Sequence, residues 1–534
     1  MKKILFTLAA IAFASSSFAQ DFDFSDDGAG SSFDSSSFEE STTPAITISG
    51  EVGAETRAWI GAPNKDSKKY DTRAYKGAYD LSKTELDVGA YANLELNYDG
   101  EYTGANLKLK LDSSTLKENH EDIIDELYAN GSFKEGKFQL KAGKMKEVWG
   151  KGDKIHVLDN FNANDYSDFI FPDYIDRRIG EVMFKATANL SWDYNLKLEG
   201  IYTPWMTADR FANDGYLVPA AQKELTTQVE SIVKAKYEAG LKDALANQKY
   251  GALIDGLQEM SGFTSDKLYE DNLRTLKYSQ GGLRLTGTAA GIDWGASYYY
   301  GHYKQPSPNL NGTIIYKAAQ SMPSIASLAA SVNPLPSLNY DQLQVFGLEA
   351  AFVVWKLNTR WEVAYNLTED IAGDDPWVRN NSVAWVAGFD IDLPIHNLNI
   401  NFQETGTYIL KNDKIKNGGL SVAGMNIPWT MLGKNYDVNA NSDDKYINNK
   451  LIVLISDKYL NEKLTTELQG IYCIEDKGYM IAPKIEYNVS EGLTFALRGV
   501  YLHCDNENGE FYNFTADSEH NDKAFIELTA KYQF

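Results

Sequence analysis

The sequence is poor in the residues that chemistry usually needs. Six histidines are scattered along 534 residues, and His156, His302 and His503 fall near expected strand ends and loops, where a solvated role is expected. G-x-S-x-G and H-E-x-x-H are both missing, and pairs such as Gly281-Gly282 do not make a nucleotide loop. No catalytic group, metal or cofactor is therefore expected, and the chain does not read as an enzyme. Positive charge is also scarce: 51 Lys and Arg stand against 74 Asp and Glu, a formal net charge of -23. That excludes nucleic acid as a partner, because phosphates need Lys and Arg. Beyond the amino terminus no run of about 18 apolar residues occurs, so no helix is expected to span a membrane.

What the chain does have begins at its amino terminus. Met1-Lys-Lys-Ile-Leu-Phe opens two lysines and an apolar core, and Ser17-Phe18-Ala19 offers small residues at the cleavage subsites. Residues 1–19 read as a secretory signal peptide cut before Gln20, with no cysteine behind the cut to carry a lipid. Residues 20–44 are acidic and Ser-rich, with no Lys or Arg, and read as a disordered periplasmic tail.

From Ala45 onward a period of two recurs. Leu86, Val88, Ala90, Ala92, Leu94, Leu96 and Tyr98 alternate with Glu85, Asp87, Asn93, Glu95 and Asn97. Leu107, Leu109 and Leu111 alternate with Asn106, Lys108 and Lys110, and Leu493, Phe495 and Leu497 alternate with Thr494, Ala496 and Arg498. Each is a strand with one apolar and one wet face. The last strand runs Phe534, Tyr532, Ala530, Leu528, Ile526, Ala524 on one face, locked to an aromatic carboxyl-terminal residue. This looks like the signal that the bacterial barrel-assembly machinery reads, with Phe534 and Tyr532 as its carriers. An aromatic share of 13% suits girdles at both membrane interfaces.

The connections alternate too. Short turns at Tyr98–Tyr102, Lys134–Lys137, Trp192–Asn195, Ala290–Ile292, Trp355–Leu357, Pro394–Asn397, Asn461–Lys463 and Ser490–Gly492 interleave with mostly longer loops. Short periplasmic turns and long external loops are the habit of outer-membrane barrels. The pattern predicts an all-β transmembrane antiparallel barrel over 45–534, of about 18 strands. Leu343–Val354 and Leu451–Ile455 alternate poorly, which makes 16 the fallback. Cys473 and Cys504 fall at the outer ends of strands that are not neighbours, roughly 9–10 Å apart. That is beyond disulfide reach, so two free thiols are expected.

One insertion breaks the pattern. Within the long external loop 205–278, residues 219–260 read as helix, with Leu225, Val229, Ile232, Tyr237, Leu241 and Leu245 at helical spacing. Its apolar stripe is expected to pack on other loops; folded inward, it would narrow a pore.

The loop Trp149–Arg178 is the densest candidate site. Asp153, Asp159, Asp165, Asp168, Asp173 and Asp176 could hold a hard cation through oxygens, although the stretch lacks a calcium loop's glycine and closing Glu. Phe161, Tyr166, Phe169, Phe171 and Tyr174 could stack a sugar. The plainer expectation is an acidic loop folded against its neighbours.

A resemblance appears on the same residues. Gly143-Lys-Met-Lys-Glu-Val-Trp149-Gly150, then Asp159-Asn160, Asn164-Asp165, Asp176-Arg177-Arg178 and a strand ending Leu198-Glu-Gly-Ile-Tyr-Thr-Pro204, resembles an uncharacterised porin-like outer-membrane family of Gram-negative bacteria. Asp125-Glu126-Leu127-Tyr128 is similar to that family's acidic-aromatic strand. The resemblance covers about 80 residues, and the tail and helical insertion depart from it. It implies passive or substrate-selective passage, with no known substrate.

Taken together, the residues predict a diffusion channel for small hydrophilic solutes in the bacterial outer membrane, with lipid around it. Lys108, Lys110, Lys141, Arg284, Arg360, Arg498 and Lys531 would line its lumen against Glu85, Asp87, Glu95, Glu199, Glu362, Glu467 and Glu527. Facing charges of opposite sign favour polar solutes. A hydrophobic-compound transporter, or an adhesin whose barrel only displays loops, are the alternatives. Substrate, ion preference and oligomeric state are not legible.

Overall fold

The computed structural model describes residues 45–60, 85–153, 155–213, most of 215–238, 272–321, 326–375, 377–422, 425–428, 446–506, 509–515 and 522–534. The expected signal peptide 1–19, the acidic tail 20–44 and most of the expected helix beyond residue 238 lie outside them.

Among the described residues, eighteen strands form one antiparallel sheet that closes on itself. They are β1 (Ala45–Ile60), β2 (Glu85–Asp99), β3 (Thr103–Leu111), β4 (Ile124–Phe133), β5 (Phe138–Met145), β6 (Glu181–Ser191), β7 (Leu196–Thr203), β8 (Gln280–Ala289) and β9 (Ile292–His302). The second half comprises β10 (Gln342–Val354), β11 (Leu357–Thr368), β12 (Ser382–Asp392), β13 (Asn399–Ile409), β14 (Ile447–Tyr459), β15 (Leu464–Cys473), β16 (Tyr479–Ser490), β17 (Leu493–His503) and β18 (Asp522–Gln533). Each strand pairs with the next in sequence, and β1 pairs with β18 from Glu51↔Gln533 to Ile60↔Ala524. Closure leaves no edge to be satisfied by solvent. Among the described residues no helix is long and apolar enough to cross a membrane.

The register explains why the alternation is so regular. Ile48, Leu86, Val88, Leu140, Phe184, Leu283, Leu348, Trp361, Ile485 and Leu528 stand exposed on the outer face. Their neighbours in sequence point inward. Aromatics crowd the short-turn end: Tyr98, Tyr102, Phe133, Phe138, Trp192, Tyr194, Trp355, Tyr487, Tyr532 and Phe534 are exposed there. A strand of about 12 residues, inclined at about 40°, rises roughly 30 Å, the scale of an outer-membrane apolar band with its girdles.

Both poorly alternating segments are strands after all, β10 and β14. Their inward residues Leu343, Val345, Ile452 and Leu454 are buried in the barrel interior, so both faces are apolar and the period of two is erased. The seam is finished by the last residue: Phe534 and Gly50 exchange both backbone hydrogen bonds, at 2.9 Å each. The Phe534 ring lies over Gly50, where a Cβ would meet it at 2.6 Å.

The described part of the 205–278 insertion meets a neighbouring loop. Val229 and Ile232 are buried, and Val229 packs against Leu338 of the 303–341 loop, with Val233 and Leu335 alongside.

Candidate functional site

The described residues between β5 and β6, 146–153 and 155–180, do not project from the barrel. They fold into its interior and cross it; we call them the lumen loop. Trp149, Ile155, Leu158, Phe161, Tyr166, Phe169, Ile170 and Phe171 are buried in one hydrophobic cluster with wall residues. Those wall residues include Trp59 on β1, Ile201 on β7, Tyr299 on β9, Val345 on β10, Val386 on β12, Ile452 on β14, Ile471 on β15, Val500 on β17 and Phe525 on β18. Burying each large apolar side chain stabilises the closure by about 1.5–3 kcal/mol. Two glycines make room: a Cβ on Gly282 would meet the Trp149 and Phe161 rings at 2.8 and 2.9 Å, and one on Gly347 would meet Leu158 at 2.5 Å. From the connection between β17 and β18, Phe511 and Phe514 close over Phe169.

Polar anchors fix the crossing at its ends. On β11 the Glu362 carboxylate is 0% exposed. It accepts from the backbone N–H groups of Gly152 (2.5 Å), Val157 (2.8 Å) and Leu158 (3.3 Å). Nδ1 of His156 lies 3.0 Å from the same carboxylate. Burial disfavours charge on His156, but the neighbouring Glu362 carboxylate outweighs it and raises the imidazole pKa above its ordinary value. At the barrel seam Arg57 binds Asp168 of the loop (2.5 and 2.9 Å) and Glu527 (2.9 and 2.6 Å). Arg498 donates to the Phe171 carbonyl at 2.8 Å and to Glu527 at 2.7 Å. Nζ of Lys146 binds Asp125 on β4 and the Ile175 carbonyl at 3.1 Å. Inside the loop, Asp159 takes an ion pair from Arg178 and a hydrogen bond from Tyr174.

This geometry removes two readings of the loop. Phe161, Tyr166, Phe169, Phe171 and Tyr174 are buried, so no ring face is open for a sugar. The aspartates do not converge on a cation: Asp165 pairs with Arg210 (2.7 Å), Asp168 with Arg57, Asp159 with Arg178 and Asp153 with Asn401. Among the described residues no group of three or more candidate ligands is brought together. His156 and His302 are buried as well, not solvated, because loops close over both.

The remaining motif residues spread through the same fold. Trp149 meets Phe161 edge-on at 4.9 Å, and Gly150 adopts a φ of 121° beside the Glu362 carboxylate. Asn160 is half-buried. The Asn164 N–H donates to Asp209 at 2.8 Å. Arg177 is buried beside the rings of Tyr166 and Tyr174 at 6.0 and 5.9 Å.

The expected lumen charges stand largely in neighbouring pairs around the wall. Lys108 lies 3.6 Å from Asp125, Lys110 3.7 Å from Asp112, and Lys141 3.1 Å from Glu147. Arg284 bridges Glu349 (2.6 Å) and Glu199 (3.5 Å), and Arg360 bridges Asp390 (2.6 Å) and Asp153 (3.4 Å). Glu467 lies 3.6 Å from Lys484, and Lys531 lies 3.9 Å from Glu51. Asp87 accepts from the Trp59 indole at 2.6 Å, and Glu95 from Asn106 at 2.6 Å. Glu85 begins β2, and its side chain lies outside the described residues. Arg57, Asp125, Lys146, His156 and Arg178 were not singled out as a group from the sequence. Arg57 and Glu527 are 470 residues apart and His156 and Glu362 206, so no local signal could have joined those pairs.

No curated protein matches the sequence. The structure is similar to the outer membrane channel DcaP of Acinetobacter baumannii, at 9% identity over 93% of this chain and 99% of that one, with a TM-score of 0.37. It is similar to the outer membrane protein OpdK from Pseudomonas aeruginosa, at 8% identity over 92% and 98%, with a TM-score of 0.43. It is similar also to an anion-selective porin from Comamonas acidovorans, at 9% identity over 92% and 100%, with a TM-score of 0.37. A family model described as "Protein of unknown function (DUF1302)" matches residues 2–390, most of the sequence, and the chain belongs to that family.

Proposed function

We propose that the protein is a porin-like channel of the bacterial outer membrane, through which small hydrophilic solutes diffuse. The observation that carries this reading is a closed barrel, apolar outside and charged inside, whose lumen is narrowed by a loop built from its own chain. A closed antiparallel barrel with an apolar outer band is one of only two architectures that can cross lipid without leaving backbone groups unpaired. Eighteen strands enclose a lumen wide enough for water, so its permeability is set by what fills it. A hydrophobic-compound transporter would present an apolar wall. Here the inward apolar residues are covered by the lumen loop, and charged pairs line the remaining wall.

The test is conductance. Purified protein added to planar bilayers should give discrete ion-conducting steps, and proteoliposomes should swell in small sugars or amino acids. Electrical silence together with no swelling would refute the channel and turn attention to loop display.

A further inference from the structure

The lumen loop does not meet the wall equally all the way round. The hydrophobic cluster draws residues from β1, β5–β7, β9–β12 and β14–β18. Among the described residues, none of β2, β3, β8 or β13 belongs to it, and Tyr128 of β4 only packs partly against it; but β8 meets the loop through Gly282 beside Trp149, and β13 through Asn401, which donates to Asp153. The difference shows in exposure. Facing the loop from the far wall, Glu362 and Thr405 are 0% exposed and Val386 is 1% exposed. On β2 the inward residues Tyr91, Asn93, Glu95 and Asn97 all stay partly open, and Asp87 is exposed. The loop is open on the same side: in its helical turn Tyr174–Arg177, Ile175 and Asp176 are exposed.

Two constraints place that turn opposite β3. Lys146 ties its Ile175 carbonyl to Asp125 on β4. The same Asp125 carboxylate lies 3.6 Å from Nζ of Lys108 on β3. The wall here is shaped to leave space. Gly53 on β1 faces Tyr91, and Glu55 faces Gly89. A Cβ on Gly53 would run into the Tyr91 ring, and one on Gly89 would meet the Glu55 carboxylate at 2.8 Å. Both large side chains therefore lie down across glycine notches and do not stand into the lumen. A glycine inside a strand costs packing and commonly marks such a close approach.

We infer that the conducting path is eccentric, running between the Tyr174–Arg177 turn and strands β1–β3, with Tyr91, Glu95, Lys108 and Asp176 as the residues that set its specificity, and that it selects cations. The sign follows from the balance of charge along it. Lys108 and Lys110 each sit within 4 Å of a carboxylate, Asp125 at 3.6 Å and Asp112 at 3.7 Å. Glu55, Glu95, Asp87 and Asp176 add four further acidic groups. Wall charges that are partly buried are screened less than fully exposed ones. The solutes favoured are small and polar and carry an ammonium or guanidinium group. The inference rests on the channel reading, and the experiment separates the two.

Single cysteines at Glu95→Cys, Asp176→Cys and Thr405→Cys would be treated with a charged, membrane-impermeant thiosulfonate, followed by mass measurement and bilayer recording. Wild-type protein, whose two native thiols are buried, is the blank. The expected result is modification at Glu95→Cys and Asp176→Cys with at least a twofold loss of conductance, and no reaction at Thr405→Cys. The Glu95→Lys/Asp176→Lys double variant should lower the potassium-to-chloride permeability ratio at least threefold. Modification of Thr405→Cys with Glu95→Cys and Asp176→Cys inert would overturn the path. An unchanged ion ratio in the double variant would overturn the residues named for selectivity. A silent bilayer with both path cysteines modified would overturn the channel reading but support a water-filled gap at this wall. Silence with neither modified would overturn both.

Discussion

Removing the Glu362 carboxylate should release the lumen loop without unfolding the barrel. Glu362→Ala deletes the acceptor for three backbone N–H groups and for His156, in a site with no exposure. Each buried donor left unpaired costs about 1–3 kcal/mol, and breaking a buried ion pair by removing one partner costs about 3–5 kcal/mol. These terms overlap, because a loosened segment recovers hydrogen bonds to lumen water. A net loss of about 3–5 kcal/mol in loop docking is expected, a rise of roughly 150- to 4,000-fold in the open population. The β-ladders from β11 to β10 and β12 are made by backbone and survive the change. Two assays read the effect: tryptic cleavage at Lys151, and single-channel conductance with its noise. The Ala variant should be cut at Lys151 at least tenfold faster than wild type and conduct more, with larger fluctuations. Glu362→Gln keeps one acceptor oxygen and should fall between. Heat-modifiable migration in detergent should persist in both. If the Ala variant resists trypsin and conducts like wild type, the loop is not held by this carboxylate and the reasoning fails.

Other outcomes follow from the same contacts. The pKa of His156 is raised by folding, so its contribution to loop docking is complete below its unfolded value near 6.5 and is lost as pH rises through the folded value. Tryptic cleavage at Lys151 should therefore accelerate on the alkaline side, and the His156→Gln variant should lose that dependence. Deleting Phe534 removes two backbone hydrogen bonds to Gly50 and a ring seated over it. The yield of heat-modifiable barrel in the outer membrane should fall several-fold while secretion of the chain is unchanged. Gly50→Leu, which fills that seat, should act in the same direction. Burial raises the Cys504 thiol to about 12, so it should resist iodoacetamide at neutral pH and react only after denaturation. Gly282→Leu should push Trp149 and Phe161 off the wall and raise trypsin sensitivity as Glu362→Ala does.

By itself the sequence determined the wall. Alternation of Leu86 to Tyr98 against Asp87 to Asn97 needs only neighbouring residues, and a strand turns each alternate side chain to opposite faces whatever it pairs with. Short turns and long loops likewise follow from local chain chemistry, so a closed barrel of about 18 strands, with 16 as the fallback, was readable before any contact was known. The two doubtful strands, β10 and β14, show where that logic stops: their inward apolar residues answer to the lumen loop, not to water. Tertiary structure alone decided the interior. Whether residues 146–180 stand outside or fold within depends on partners such as Glu362, Arg57 and Gly282, which lie scores to hundreds of residues distant. An acidic, aromatic loop reads alike in both cases, because composition carries no information about what covers it. The notches at Gly53 and Gly89 are single glycines in sequence, and they become space only when β1 and β2 set them beside Tyr91 and Glu55.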